Sequence, residues 1–399
     1  MRKQIGVAEK HLTLNAPKSD QIAHAAAGYY RLAIIGVPFC EGAAIVDTTG
    51  TAIVVMHTTD QLISGAGLIS PEGRFVLDQG SECLLRLEFI PENATVTGQF
   101  ETGETALPVS GLRRGTESRA GLINLSSRGR VGTGSGILIA GLVVKGPGPA
   151  DLLVRGIGPA LAQFNVPDPL VDPKLEVIQN DVLLATNHHW IDFHEADAMR
   201  LAHERAGAFA LDPQAKDAAL LIGAQPGSFM VHISGNDAGT GTALAEVYHL
   251  REPIGGTTSD PRLLNLSVRG LVGAKGEPLV VGFVIYGDRP RQVFVRAIGP
   301  SLVLYNLPDY LPDPELTLYR GSEILATAPY ANTHLPDNYH TNLMSIATTV
   351  GAFPPMDQEP TLAVWLEPGV YTAVVQPEES DGGLALVEIY EIPFDAPAN

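Results

Sequence analysis

Short runs of apolar residues, bounded by Gly, Pro and Asp, recur along most of the chain. Pro278–Tyr286 (PLVVGFVIY) and Gln292–Ile298 (QVFVRAI) are two examples, and both are rich in β-branched residues. Such runs are typical of β-strands. Beyond residue 118, apolar residues follow helical spacing at only two places, 195–206 and about 342–350. The pattern therefore predicts an all-β protein with antiparallel sheets, because parallel βαβ units need more helices.

Two segments of the chain carry the same motifs at a constant offset. Leu122–Gly129 (LINLSSRG) recurs as Leu263–Gly270 (LLNLSVRG), and Val154–Pro159 (VRGIGP) recurs as Val295–Pro300 (VRAIGP). Subtracting 122 from 263, or 154 from 295, gives an offset of 141, and after a small insertion the offset becomes 142. The chain therefore contains two copies of one module.

This repeat predicts how the chain is divided into domains. We expect tandem antiparallel β-sandwiches with one short helix each, preceded by a small β-meander domain. The predicted units are an N-terminal arm (1–27), a β-meander or small β-sandwich domain (28–118), a first repeat (119–250), a linker (251–258), a second repeat (259–392) and a tail (393–399). The pattern does not predict the topology of 28–118.

Charge and the length of the apolar stretches argue against a nucleic-acid partner and a membrane span. Asp and Glu number 44 against 26 Lys and Arg, which gives a formal charge of −18. Nucleic-acid binders usually carry a basic surface, so we expect no nucleic-acid partner. No apolar stretch reaches the ~18–20 residues that cross a bilayer, so we expect no membrane span.

The cysteines and the N-terminus leave the cellular compartment open. Cys40 and Cys83 either form one disulfide or remain two separate buried thiols. Met1, Arg2 and Lys3 are followed by a polar stretch, 4–21, instead of the apolar core of a signal peptide. The chain as given therefore predicts either a cytoplasmic protein or a secreted one whose leader has been removed.

The second repeat carries a series of motifs, NLS-x-RG-x-VG, VRAIGPSL, DP-x-L-x-LY, LAT, PG-x-YTA-x-V and ALVE-x-Y, and the first repeat carries variants of them in the same order, such as VRGIGPAL and ALAEVY. This order resembles a module that occurs in tandem in large secreted proteins of environmental bacteria, and it covers about two thirds of the chain. The overall pattern is also similar to that of pre-peptidase C-terminal β-sandwich domains. The resemblance implies an extracellular or cell-surface role, and it supplies no catalytic residues.

Charged residues occur at matching positions in the two repeats, mostly inside apolar strands: Arg155 and Arg296, Glu246 and Glu388, and Asp172 and Asp313. A buried arginine is tolerated only when it is paired and hydrogen-bonded, and a carboxylate is its best partner. We therefore predict internal ion pairs that stabilise each sandwich. A clamp for a sugar or for the carboxylate of a ligand is the functional alternative.

Histidines concentrate in the first repeat and suggest a metal site. His188, His189, Asp192 and His194 are the candidate ligands, because imidazole and carboxylate groups suit zinc, copper or nickel. The oxygen-rich turn 236–240 is an alternative candidate for calcium. Since no spacing matches a known metal motif, a solvated loop without any cofactor is the competing interpretation.

Three aromatic residues lie on predicted loops at similar positions of the two repeats: Trp190, Tyr330 and Tyr339. Exposed aromatic rings stack on sugar rings, so these residues form a candidate glycan-binding platform. The alternative is that they are buried and hold the loops against the sheets.

Together these patterns predict a non-catalytic protein with a structural, adhesive or glycan-binding role at the bacterial surface. Its partner would be a polysaccharide, another surface polymer or copies of itself. Self-assembly would use the alternating residues 11–14 (HLTL) of the arm, added to the sheet edge of a neighbour. The alternative function is a metal- or His/Asp-dependent hydrolase of a polymer such as polysaccharide, with its site near 188–204.

Overall fold

The computed structural model describes residues 25–392, apart from 38–39, 59–61, 81–82, 104, 114–120, 147, 193–195, 251–261, 275, 288–289, 329–336, 355 and 357. Strands make up 58% of the described residues and helices 14%, and large antiparallel sheets dominate. The prediction of an all-β fold is therefore confirmed. None of the described helices is long and apolar enough to cross a membrane. Most of the predicted arm, and the whole of the predicted linker and tail, lie outside these residues.

The first unit is an antiparallel meander with eight strands in its described part. The strands are β1 (Gly28–Ile34), β2 (Glu41–Val46), β3 (Thr51–His57), β4 (Leu62–Leu68), β5 (Arg74–Asp78), β6 (Leu84–Ile90), β7 (Thr95–Thr102) and β8 (Thr105–Arg113). Their order in the sheet is β4-β3-β2-β1-β8-β7-β6-β5. Each strand therefore pairs with its neighbours in the chain, except that β4 and β5 remain unpaired and β8 pairs with β1.

The sheet curls so that its two edge strands, β4 and β5, come close together. The Gln79 side chain, just after β5, donates a hydrogen bond to the carbonyl of Ser64 in β4 at 3.1 Å. A methyl group added at Gly67 in β4 would lie 3.4 Å from the Phe75 ring in β5. Apolar runs at 29–37, 43–46, 52–57, 74–77, 83–89 and 95–100 predict six of these strands. They miss β4 and β8, because glycines in β4 and Pro108 in β8 weaken the strand signal. The unit is an open barrel whose interior is filled by apolar side chains.

Cys40 and Cys83 are both buried in the interior of this barrel, and they are not joined by a disulfide. Of the two alternatives that the sequence left open, the structure shows two separate thiols. Cys83 Sγ lies 3.6 Å from the Gln79 side-chain oxygen and donates to it.

Each repeat contributes eight strands and one α-helix among the described residues. The first repeat contains β9 (Gly121–Val131), β10 (Leu138–Lys145), β11 (Ala150–Ile157), β12 (Pro173–Gln179), β13 (Val182–Asn187), α1 (Ala196–Ala206), β14 (Ala218–Ala224), β15 (Gly227–Gly235) and β16 (Gly241–His249). The second contains β17 (Arg262–Val272), β18 (Leu279–Tyr286), β19 (Arg291–Ile298), β20 (Pro314–Arg320), β21 (Glu323–Ala328), α2 (Asp337–Val350), β22 (Thr361–Leu366), β23 (Gly369–Pro377) and β24 (Gly383–Glu391). Both helices lie where helical spacing of apolar residues predicts them, although α2 begins earlier than predicted.

The two repeats exchange their first strands. β9 pairs with β16 of its own repeat and with β18 of the second, whereas β17 pairs with β24 of its own repeat and with β10 of the first. This gives two continuous rows of strands, β13-β12-β15-β10-β17-β24-β19-β22 and β14-β11-β16-β9-β18-β23-β20-β21. β9 and β17 run parallel and meet at Leu122–Leu263 and Arg130–Leu271. Each repeat is completed by a strand of the other.

One hydrophobic core is enclosed by these rows. It contains residues of both repeats, including Leu125 and Val154 of the first and Val268 and Phe283 of the second, each at most 1% exposed. The alternation of apolar residues produces this arrangement, since every second residue of β10 and of β18 is buried in the core. The repeats therefore form one double-layered body with a shared core.

A second apolar layer lies on the outer face of the sheet in each repeat. In the first repeat, α1 contacts β11 and β14, and Met199 of α1 packs with Leu153 of β11. In the second, Leu343 and Ala347 of α2 pack with Phe294 of β19. Charged residues that point outward from these strands are therefore covered by the helices and their loops.

The barrel packs against the second repeat through Trp365 of β22. The Gly36 N–H donates to the Trp365 carbonyl at 3.2 Å, and the Arg31 guanidinium lies 5.5 Å from the centre of the Trp365 ring. Ala33, Ile35 and Leu112 of the barrel complete this apolar contact. The first unit of the chain thus touches its last one.

Candidate functional site

Buried arginine–glutamate pairs lie at matching positions in both repeats. The Nε of Arg155 lies 3.1 Å from Oε2 of Glu246, the distance of an ion pair, although their orientation is not that of a hydrogen bond. Arg296 Nε donates to Glu388 Oε2 at 2.7 Å. The strand register produces both contacts, because each arginine stands directly opposite its glutamate on the neighbouring strand. Both arginines are fully buried.

The surroundings of the pair are also repeated. Arg155 Nη1 donates to the Phe209 carbonyl at 2.9 Å, and its guanidinium lies 4.3 Å from the centre of the Phe209 ring. The Tyr248 hydroxyl donates to Glu246 at 2.7 Å, and burial together with this carboxylate raises the Tyr248 pKa. The second repeat has the same contacts through Arg296, Phe353, Tyr390 and Glu388. Clusters so enclosed favour a structural role over a ligand clamp.

Asp172 and Asp313 lie apart from these buried pairs. Asp172 forms the predicted ion pair, but with an exposed lysine, whereas the prediction is corrected for Asp313. Asp172 pairs with the exposed Lys216 at 2.6 Å. Asp313 accepts hydrogen bonds from the backbone N–H groups of Glu379 and Ser380 at 2.7 and 2.8 Å, and no cation pairs with it among the described residues. Burial alone would raise the pKa of both carboxyls, but these hydrogen bonds hold each pKa below its ordinary value. Both carboxylates therefore hold neighbouring loops in place through these contacts.

Two buried carboxylates escaped the sequence patterns. Asp217 accepts hydrogen bonds at 2.9 and 3.2 Å from N–H groups at the start of the 3₁₀ helix Pro159–Phe164. Glu359 accepts a hydrogen bond at 2.9 Å from the Ser301 N–H, at the start of the 3₁₀ helix Pro300–Tyr305. Burial raises the pKa of Asp217 despite its hydrogen bonds. The repeat itself could have pointed to both residues, because they lie 142 positions apart, which is the offset between the two repeats after the small insertion.

His203 is a buried imidazole that should make stability depend on pH. It is 5% exposed, and burial together with the nearby Arg155 lowers its pKa to about 4. The unfolded chain binds a proton near pH ~6.5, so acidification from there to pH ~4 should favour unfolding by up to about 3 kcal/mol. Ala347 occupies the same position in the second repeat. We expect His203→Ala to remove this part of the pH dependence in urea unfolding. A variant that keeps the full pH dependence would contradict the assignment.

The predicted metal ligands are only partly brought together. His189 Nδ1 lies 3.4 Å from Asp192 Oδ2, and the adjacent His188 is exposed. His194 lies outside the described residues. Within the described part of the chain, no three His, Cys, Asp or Glu side chains are grouped so that they could hold a metal ion. The metal site therefore stays a prediction.

Trp190 is buried, so the prediction that it forms part of an exposed sugar platform is wrong. It is 2% exposed, packs with Met199 of α1, and donates a hydrogen bond from Nε1 to the Asp212 carbonyl at 3.1 Å. Trp190 therefore fits the alternative interpretation, a buried residue that holds its loop against the sheet. Tyr330 and the side chain of Tyr339 lie outside the described residues.

An open cleft of about 290 Å³ lies where the two repeats meet. Its walls come from β9, the loop after the 3₁₀ helix Pro159–Phe164, the start of β16 and the turn between β17 and β18. We call it the inter-repeat cleft and define it by Arg128, Arg130, Phe164, Asp168, Thr242 and Glu277. Its volume lies just below the range of about 300–1,000 Å³ that ligand pockets span.

The polar wall of the cleft follows from the alternation of β9. Ser127, Gly129 and Val131 are buried, whereas Arg128 and Arg130 are exposed. Arg130 donates to Asp168 Oδ2 at 3.2 Å, and the two side chains are 48% and 63% exposed. Arg128 forms no ion pair or hydrogen bond with any described residue. Of the two guanidinium groups in the cleft, that of Arg130 is thus paired with Asp168, and that of Arg128 is available to bind a ligand.

An aromatic ring borders the cleft. Phe164 is 53% exposed, and it packs edge to face on Phe209 with 5.1 Å between ring centres. Because Phe209 also packs on the buried Arg155, the enclosed ion-pair cluster holds this ring in place. Sequence reasoning missed Phe164, since a single aromatic residue in a short 3₁₀ segment gives no periodic signal.

The corresponding position in the second repeat is closed by apolar side chains. Leu271 and Leu384 stand there in place of Arg130 and Thr242. Leu271 packs so closely on Gly132 that a methyl group added to this glycine would lie 3.1 Å from Leu271 Cδ1, and Leu384 is 2% exposed. Arg128 recurs as Arg269 in the motif that both repeats share, whereas Arg130 and Thr242 do not recur, so the polar character of these two positions is not a requirement of the shared fold.

No protein-family model matches this chain, and no curated protein matches it. Two solved structures of PNGF-II, in the P21 and C2 space groups, are similar to it at 8% sequence identity with a TM-score of 0.17. The first match covers 92% of this chain and 99% of the other, and the second covers 91% and 97%. A TM-score of this size supports no inference about fold or function.

Proposed function

We propose that this protein is a non-catalytic, surface-located β-protein that binds a saccharide of a surface polymer in the inter-repeat cleft. The observation that carries the proposal is the difference between the two copies of the module. The first copy has an open polar cleft. In the second copy, Leu271 and Leu384 occupy the corresponding position. Because the fold accepts apolar residues at these positions, the polar residues of the first repeat are available for function. The surface location rests on the resemblance to modules of secreted bacterial proteins.

The groups that line the cleft match the chemistry of sugar recognition. A sugar hydroxyl both donates and accepts hydrogen bonds, and the adjacent Arg130 and Asp168 side chains offer donors and acceptors side by side. The exposed ring of Phe164 offers a flat apolar surface to the C–H face of a sugar ring. A few polar groups on a partly apolar wall are usual in sites for small ligands.

The same groups support binding over hydrolysis. A glycosidase keeps one of two carboxyl groups in an environment that favours its protonated form. Asp168 and Glu277 are instead exposed, and Asp168 is paired with Arg130. The alternative hydrolase site near 188–204 has only the His189–Asp192 contact to support it.

Substituting Phe164 by alanine is expected to weaken glycan binding about tenfold, which corresponds to about 1.4 kcal/mol. The reason is the loss of the exposed face on which a sugar ring stacks. A glycan microarray with the wild-type protein would identify a ligand, and calorimetric titration of that ligand would give the affinity of each variant.

Tyr305→Ala is the matched control for this experiment. Tyr305 is the counterpart of Phe164 in the second repeat and is 57% exposed, but it lies beside the closed position. Its replacement should leave the affinity unchanged. Equal losses in the two variants, or a wild-type protein that binds no glycan, would refute the proposal.

A further inference from the structure

We infer that the inter-repeat cleft selects an uncharged saccharide, and that Arg128 is the residue that anchors it. The inference rests on the proposed function and adds the class of ligand. Three features of the cleft carry it: lining charges that cancel among the described residues, an ion pair that a charged ligand would have to break, and one guanidinium that no described residue pairs with.

The charges of the described residues that line the cleft cancel. Arg128 and Arg130 are balanced by Asp168 and Glu277, and all four line the same space of about 290 Å³. The chain as a whole carries a formal charge of −18, so its long-range field repels a polyanion and gives no steering toward the cleft. A site for sulfated or uronic-acid polymers would instead be expected to gather several unpaired basic side chains.

The Arg130–Asp168 pair opposes a negatively charged ligand. Asp168 accepts a hydrogen bond from Arg130 at 3.2 Å, and a ligand carboxylate would have to compete for the same guanidinium. Its negative charge would then lie beside that of Asp168, which costs free energy. A neutral hydroxyl can accept from Arg130 and donate to Asp168 while the pair stays intact.

Arg128 is the group with unused hydrogen-bonding capacity. Its guanidinium has five N–H donors, and no described residue accepts from them. Hydroxyl and ring oxygens of a sugar are acceptors of the required kind. Thr242, which is the register partner of Arg130 on β16, adds a hydroxyl to the same wall. Phe164 borders the cleft, so the polar wall and the ring together orient a bound sugar.

The test compares the charged and neutral forms of one saccharide. The full-length protein would be titrated with oligogalacturonate, with its methyl ester, and with neutral gluco-, manno-, galacto- and xylo-oligosaccharides, at about 0.02 and 0.3 M NaCl. We expect binding of neutral oligosaccharides only, with affinities that change less than about twofold between the two salt concentrations. Arg128→Gln should weaken this binding about tenfold or more. Arg74→Gln, at an exposed arginine of the barrel, should not change it.

The outcomes separate this inference from the function on which it rests. Binding only to oligogalacturonate, with an affinity that falls as salt rises, would overturn the ligand class and leave the proposed function standing. Neutral binding that Arg128→Gln does not weaken would overturn the role of Arg128. A protein that binds none of these saccharides, while the microarray also detects no ligand, would overturn the proposed function itself.

Discussion

Substituting Arg296 by methionine is expected to lower the free energy of unfolding by about 3–5 kcal/mol. The arginine is fully buried, and its removal leaves the carboxylate of Glu388 at 8% exposure without a counter-charge. The carbonyl of Phe353 also loses its donor at 2.6 Å. Urea unfolding monitored by circular dichroism would measure the loss. Arg155→Met in the first repeat should also lower the free energy of unfolding, since this arginine is equally buried and forms an ion pair with Glu246.

The double variant Arg296→Met, Glu388→Leu tests the cause of this loss. Replacing both members of a buried pair by apolar groups of similar volume is often close to neutral, because no charge is left buried. We expect the double variant to recover most of the stability that the single variant loses. A double variant as unstable as Arg296→Met would show that packing, and not the unpaired charge, dominates.

Replacing Leu125 by alanine is expected to destabilise both repeats together, by about 2–5 kcal/mol. Leu125 is fully buried on β9, where Val247 of the first repeat and Phe283 of the second are its register partners. A cavity at this position therefore lies in the shared core. Two separate sandwiches would instead respond independently.

The two tryptophans of the chain make this prediction measurable, because Trp190 lies in the first repeat and Trp365 in the second. Single-tryptophan variants, Trp365→Phe and Trp190→Phe, would report the unfolding of each repeat by fluorescence. Leu125→Ala should shift both transitions by the same amount. Leu87→Ala, in the core of the barrel, should leave the Trp190 transition in place. A shift of the Trp190 transition alone would show that the repeats unfold as independent domains.

Local sequence was sufficient to predict those features whose signal lies within a few residues or recurs at a fixed distance along the chain. Alternation alone predicts β10 and β18, and a charge inside an apolar run is visible without knowledge of its partner. The offset of the repeat then directs attention to Glu246 as the partner of Arg155, and the two lie 3.1 Å apart. The missed strand β4 lacks such a signal, since its glycines make room for side chains of β5 that only the folded barrel brings near.

Loop residues were harder to interpret, because their burial depends on distant segments. Trp190 lies among polar residues in the sequence, and this predicts an exposed side chain. Its backbone N–H donates to the carbonyl of Asp217 and its indole donates to that of Asp212, so residues more than 20 positions away enclose it. No pattern around Trp190 itself reports these contacts.

The sequence alone predicts an all-β protein with two copies of one module and with charges at matching positions of the two copies. Which strands pair across the repeats is visible only in the folded chain. β9 and β17 share the motif N-L-S-x-R-G and present the same backbone groups, so their local sequences do not distinguish the partner strand in one repeat from that in the other. The inter-repeat cleft also depends on this exchange, because pairing β9 with β18 brings Arg130 and Glu277, which are far apart in the chain, to the same cleft.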